Sequence, residues 1–189
     1  MTTDGPLLWY LNRSTGFVIL ALFTITTALG VLSLGSKAGK RMPSFVTQSV
    51  HRNIALLSMA LLVAHAASAV VDTFVDIRWW QAILPWWGST YMPLWLGLGT
   101  LGLDLFVIVA VTSLLRARMN HTLWRSIHYL SYVGWAVSVV HGIGIGTDVK
   151  AATPWAYAIV GASVAVVLLA AVLRLGRAAT SRGVAEVSP

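Results

Sequence analysis

Five long apolar runs alternate along the chain with short polar, basic or aromatic stretches, at about 15–35, 50–75, 93–115, 122–146 and 154–176. None of them alternates polar and apolar residues with the period of two that a half-buried strand needs. A helix rises ~1.5 Å per residue, so ~20 residues cross ~30 Å of hydrocarbon. Lipid admits only helices and closed barrels, because every backbone N–H and C=O must be paired away from water. The pattern predicts an all-α polytopic membrane protein, a five-transmembrane-helix bundle. Residues 1–14 form a short lead-in, 15–176 the membrane domain and 177–189 a small polar tail. Pro93 and Pro154 stand where the third and fifth runs open, a place that suits Pro in a first helical turn.

Composition agrees with a chain dissolved in lipid. It is 57% hydrophobic and 10% charged over 189 residues, with a mean hydropathy of +0.78, where a soluble domain carries about a quarter charged residues. It contains no Cys, which excludes thiolate metal sites, iron–sulfur clusters and disulfides. The net charge of +7 does not point to nucleic acid, because the basic residues sit between the apolar runs. They sort by side. Ten lie around 36–52, 116–125 and from Arg174 onward, against Arg13, Arg78 and Lys150 at the other ends. The positive-inside rule then places the N-terminus and lead-in outside and the C-terminal tail in the cytoplasm. The second and fourth helices both run outward. No basic stretch precedes the first apolar run, so no cleaved signal peptide is expected. Asn12-Arg13-Ser14 matches the N-glycosylation pattern, a short motif of little specificity. The expected location is the bacterial cytoplasmic membrane.

Candidate chemistry enters with the histidines. His51 and His65 bracket thirteen residues of the second run, and His128 and His141 bracket twelve of the fourth. At ~1.5 Å per residue each pair is separated by roughly 20 Å, so the two levels match across parallel helices. Ionisable side chains in hydrocarbon are costly and mark function, and imidazole is the common protein ligand of haem iron. Rotation fits less well. At ~100° per residue His141 lies roughly 140° round from His128, which calls for a tilt of the fourth helix, a distortion near Gly134, or a grip from different sides. His121 lies at a loop edge and reads as solvated.

These histidine spacings, with HRN at the first, LWRSIHYLSY around the third and VVHG at the fourth, resemble the ferric reductase-like transmembrane domain. That superfamily includes the membrane cores of NADPH oxidases, ferric reductases and the haem subunit of a bacterial methionine sulfoxide reductase system. The resemblance covers the second to fifth helices. It implies two b-type haems, one ligated by His51 and His128 on the inner side, the other by His65 and His141 on the outer. It departs from many relatives in its five helices rather than six, and in stopping without a cytoplasmic flavin and nicotinamide module.

Several other residues follow from that frame. Arg52 and Arg125 lie at the cytoplasmic edge, as propionate contacts or as residues reaching the headgroups. Asp104 falls in mid-helix, where a bare carboxylate is expensive; a structural hydrogen bond or a proton role would account for it. Gly142, Gly144 and Gly146 end a membrane helix rather than follow a strand, so they read as small residues for close approach of a porphyrin or a helix. The Trp-rich stretch from Trp79 to Tyr91 reads as an interfacial belt or as the wall of an outer quinone or flavin site. The expected function is a membrane cytochrome carrying electrons across the bilayer, the haem-bearing subunit of an oxidoreductase. Its donor is a separate flavin reductase or a quinol and its acceptor is extracytoplasmic. The alternatives are a haem-free transporter or sensor handling protons or metal, and a structural subunit.

Overall fold

The computed structural model describes residues 5–33, 44–72 and 75–187. All regular structure among them is helical: α1 (Gly5–Ser33), α2 (Ser44–Val71), α3 (Pro93–Leu114), α4 (His121–His128), α5 (Leu130–Ile145), α6 (Thr147–Lys150) and α7 (Pro154–Val187), with short 3-10 turns at Trp79–Ala82 and Arg116–Arg118. Four helices are long and apolar enough to cross a membrane: Leu7–Ser33, Phe45–Val71, Pro93–Leu114 and Pro154–Gly176. They suggest an integral membrane protein. Their outward faces agree, since Leu57 and Val63 of α2, Val111 and Leu114 of α3, and Leu168 and Val172 of α7 are large, apolar and exposed, the reverse of a water-facing surface.

Helix α1 is the hub. It packs against α2, α5 and α7, and it contributes to all three buried clusters: Leu20 with Val139, Ala156 and Val160; Ile19 and Phe23 with Phe106; Ala28 and Val31 with Ala170. Helix α3 pairs mainly with α5. Phe23 and Phe106 stack face to face, centroids 3.8 Å apart, locking α1 to α3 at mid-height. The buried hydroxyl of Thr24 donates to Leu20 O and accepts from Trp135 Nε1, so it is paired both as donor and as acceptor.

The elements differ from the sequence reading in three places. Helix α1 begins at Gly5, well before position 15, and the polar residues at the expected boundary are satisfied within the helix: Ser14 and Thr15 hydroxyls both donate to Leu11 O. The fourth run is not one helix. It divides at Tyr129, where Tyr132 N bonds the carbonyl of Tyr129 and the Ser131 hydroxyl takes that of His128. A side chain that captures a backbone acceptor loosens the ladder at that turn. The distortion considered near Gly134 thus lies at Tyr129, while Gly134 is regular helix against Phe106. Finally, α7 runs on to Val187, so the expected tail at 177–189 is helical over most of its length. The basic loop with Lys37, Lys40 and Arg41 lies outside the described residues.

Candidate functional site

The structure gathers the four histidines into two groups. His51 on α2 and His128 at the end of α4 face each other with ring centroids 6.3 Å apart and planes at 56°. His65 on α2 and His141 on α5 both line a cavity of about 270 Å³, close to the lower end of cofactor pockets at ~300 Å³. That cavity also takes Gly16 and Phe23 of α1, Gly99 and Leu103 of α3, and Trp135 of α5. His121 opens α4, exposed, with its ring 5.8 Å from that of Trp124.

Three of the rings are fixed in the same way. His51 Nδ1 lies 3.1 Å from Thr26 O, His65 Nδ1 3.1 Å from Asn12 O, and His141 Nδ1 2.7 Å from Trp95 O. A backbone carbonyl can only accept, so Nδ1 carries the proton in each and Nε2 keeps its lone pair. This is the arrangement in which an imidazole ligates a metal, its other nitrogen anchored by an outer partner. His128 Nδ1 has the Ser113 hydroxyl at 3.4 Å, a looser anchor.

Each of those three rings also lies over a glycine of a neighbouring helix. A Cβ at Gly16 would stand 3.4 Å from His65 Cε1, one at Gly30 3.6 Å from His51 Cε1, and one at Gly99 2.5 Å from His141 Cε1. Glycine at these positions lets the helix backbone approach the edge of a ring. At the helix end, Gly144 does the same for Trp95, whose ring a Cβ would overlap. Gly142 lines the cavity and Gly146 caps α5. The glycine run thus serves helix packing at Gly144 and opens the cavity wall at Gly142.

Two partners of this site carried no signal in the sequence. Asn12, the first residue of the Asn12-Arg13-Ser14 motif, is engaged within the fold: its side chain donates to His65 O at 2.9 Å and to Ser68 Oγ at 3.1 Å, while its own carbonyl receives His65. At the same end of the cavity Arg13 makes a two-pronged ion pair with Asp148, whose carboxylate is buried, and lies 4.8 Å above the Trp9 ring. Removing one partner of a buried pair leaves the other charge uncompensated. Arg13→Ala should therefore lower stability by roughly 3 kcal/mol, the low end of such losses because Arg13 is partly exposed. Thermal denaturation in detergent checks this, and the double variant Arg13→Ala/Asp148→Asn should recover part of the loss.

The remaining expected residues fall apart from these groups. Arg52 is exposed. Arg125, also exposed, gives its Nε proton to the Tyr129 hydroxyl at 2.8 Å. Asp104 is half-buried, and among the described residues it makes no hydrogen bond or ion pair, so the expected structural hydrogen bond is absent there. Its neighbours one turn on, Val107 and Ile108, are exposed, which puts it at the outer edge of α3. In the Trp-rich connection Trp79 and Trp87 are exposed, while buried Gln81 staples the loop by donating to Gly88 O and accepting from Arg78 N. Its carbonyl in turn takes the Thr100 hydroxyl of α3. Among the described residues no three or more His, Asp or Glu side chains converge.

Residues 7–148 match the family described as Domain of unknown function (DUF8596), and the chain belongs to that family. No curated protein and no solved structure matches.

Proposed function

We propose that this member of the DUF8596 family is a membrane b-type cytochrome that holds two haems, one between His51 and His128 and one between His65 and His141. The observation that carries the reading is the pairing of imidazoles, three of which commit their Nδ1 protons to backbone carbonyls. Nε2 is thereby left free at His51, His65 and His141. The spacing of the inner pair fits. Imidazoles on opposite faces of one metal, each about 2 Å from it through nitrogen, have centroids roughly 6 Å apart, against 6.3 Å here. The glycines under three of the rings and an orphaned indole N–H beside His128 are further features that a bound group would explain.

When bound, haem supplies a one-electron iron couple. The chain's part is to ligate, orient and bury. Asn12, Thr26 and Trp95 carbonyls hold three ligand rings, and apolar residues of α1, α3 and α5 such as Phe23, Leu103 and Trp135 line the outer cavity. The resemblance to ferric reductase-like domains gives the same ligand pairs. A metal-handling transporter would need three or four converging donors for a closed site, whereas these histidines come in twos. The direction of transfer we infer is from a separate cytoplasmic donor, a flavin reductase or a quinol, to an extracytoplasmic acceptor. In this reading α4 and α5 together make a fifth, broken span.

The test is a spectrum. Protein purified from haem-sufficient cells should be red, with a low-spin bis-imidazole spectrum and two haems per chain; a colourless preparation overturns the reading. Orientation is tested separately. A reporter near Gly88 should be active only in an exported format, and one fused after Pro189 only in a cytoplasmic format. Equal signals at both sites would undo the assigned direction.

A further inference from the structure

Among the described residues one buried side-chain polar atom has no hydrogen-bond partner: Trp124 Nε1. An unmade bond at a buried donor costs about 1–3 kcal/mol, so such an atom in a native fold asks for an explanation. We propose, resting on the haem reading, that Trp124 Nε1 and the Arg116 guanidinium together bind a carboxylate of the group held between His51 and His128.

The placement supports this in three ways. Trp124 precedes His128 by one helical turn, and the two rings stack with centroids 5.0 Å apart and planes at 29°. Whatever lies against the His128 imidazole therefore lies beside the indole. Arg116 stands over the same indole, its Cζ 4.4 Å from the ring centroid. Among the described residues its guanidinium has no hydrogen bond or ion pair. Two uncommitted donors, one of them charged, thus meet at one end of the histidine pair. Of the other cations near the two sites, Arg13 is engaged by Asp148 and Arg125 by Tyr129, while Arg52, next to His51, is exposed. By contrast, the indole of Trp135, at the outer cavity, spends its N–H on Thr24.

The ligand chemistry follows from the donors. An indole N–H beside a planar guanidinium suits an anionic oxygen acceptor, and charge-assisted bonds of this kind are about twice as strong as neutral ones. A haem propionate offers such an oxygen. A lipid phosphate offers it too, since tryptophans are frequent at the membrane interface. Helix α4 holds the indole in place: Asn120 caps it by accepting from Thr122 N at 2.8 Å.

Trp124→Phe separates these sources, because it keeps an aromatic ring beside Arg116 and His128 and deletes the N–H. A His141→Ala background leaves the inner site alone to be loaded, once with protohaem and once with its dimethyl ester, which has no carboxylate. Transfer to excess apomyoglobin then gives the release rate of each. Trp124→Phe should speed protohaem release roughly tenfold or more, leave the ester unchanged and preserve the bis-imidazole spectrum. Arg116→Gln should act in the same direction. Equal acceleration of both ligands, or of neither, overturns the proposal, the second result being the one expected if a lipid phosphate takes the bond. Should the His141→Ala background fail to fold, the wild-type background carries the same comparison, with the phase lost in His128→Ala marking the inner group. Failure of the haem reading itself looks different: the protein with Trp124 intact then takes up neither ligand.

Discussion

Replacing His141 by Ala should leave a protein that binds one haem where the parent binds two. The His141 ring lines the cavity, anchored to Trp95 O at 2.7 Å and close to Gly99. Among the described residues no other histidine besides His65, and no Met, lines that cavity, so no second imidazole or thioether can replace it from within. His65→Ala should give the same product. His51→Ala and His128→Ala should do the reverse and spare the outer haem, because the two groups are carried at separate heights on α2. Haem per chain by pyridine haemochrome, with the redox titration resolved into its components, reads the outcome. Loss of both haems from every single variant would mean that the histidines hold the fold together rather than two independent groups. Unchanged haem content in all four would remove them as ligands.

A second large effect is expected at a residue that bears no chemistry. A Cβ at Gly99 would fall 2.5 Å from His141 Cε1 and 2.7 Å from its Nδ1, closer than atoms tolerate. The imidazole must swing away, and doing so breaks its bond to Trp95 O. Lost hydrogen bonding and a displaced rotamer together amount to about 1–3 kcal/mol, a tenfold or greater weakening of the outer haem. Gly99→Ala should therefore bleach the outer haem selectively and leave the inner one intact. Gly161→Ala on α7, where a Cβ meets nothing within 4 Å, is the matched control and should retain both. Equal haem content in the two variants would show that the Gly99 contact is not limiting.

What the sequence could and could not show follows from the kind of interaction involved. The apolar runs were readable because burial in lipid demands about twenty consecutive apolar residues, whatever their packing. The histidines were readable because a titratable group inside such a run stands out. The break at Tyr129 was not, since it depends on one serine hydroxyl choosing the carbonyl of His128. The anchors of the rings were hidden for a more general reason. They are backbone carbonyls of Asn12, Thr26 and Trp95, and every residue has one. The glycines under the rings could be seen as small residues, but not which ring each would meet. Arg13 and Asp148 stand at opposite ends of the domain in sequence, and each had a sufficient local explanation as a loop or topology charge.

The chain order of the anchors has a bearing on biogenesis. Thr26 and Asn12, which take the Nδ1 protons of His51 and His65, are both on α1. Trp95 precedes His141, and Ser113 precedes His128. Every anchor is thus synthesised before the ring it holds. Chains emerge N-terminus first, so each imidazole enters the bilayer with a partner for its N–H already there. A circularly permuted gene that placed α1 last would reverse this for the α2 histidines and oblige two bare imidazole N–H groups to wait in hydrocarbon for their acceptors.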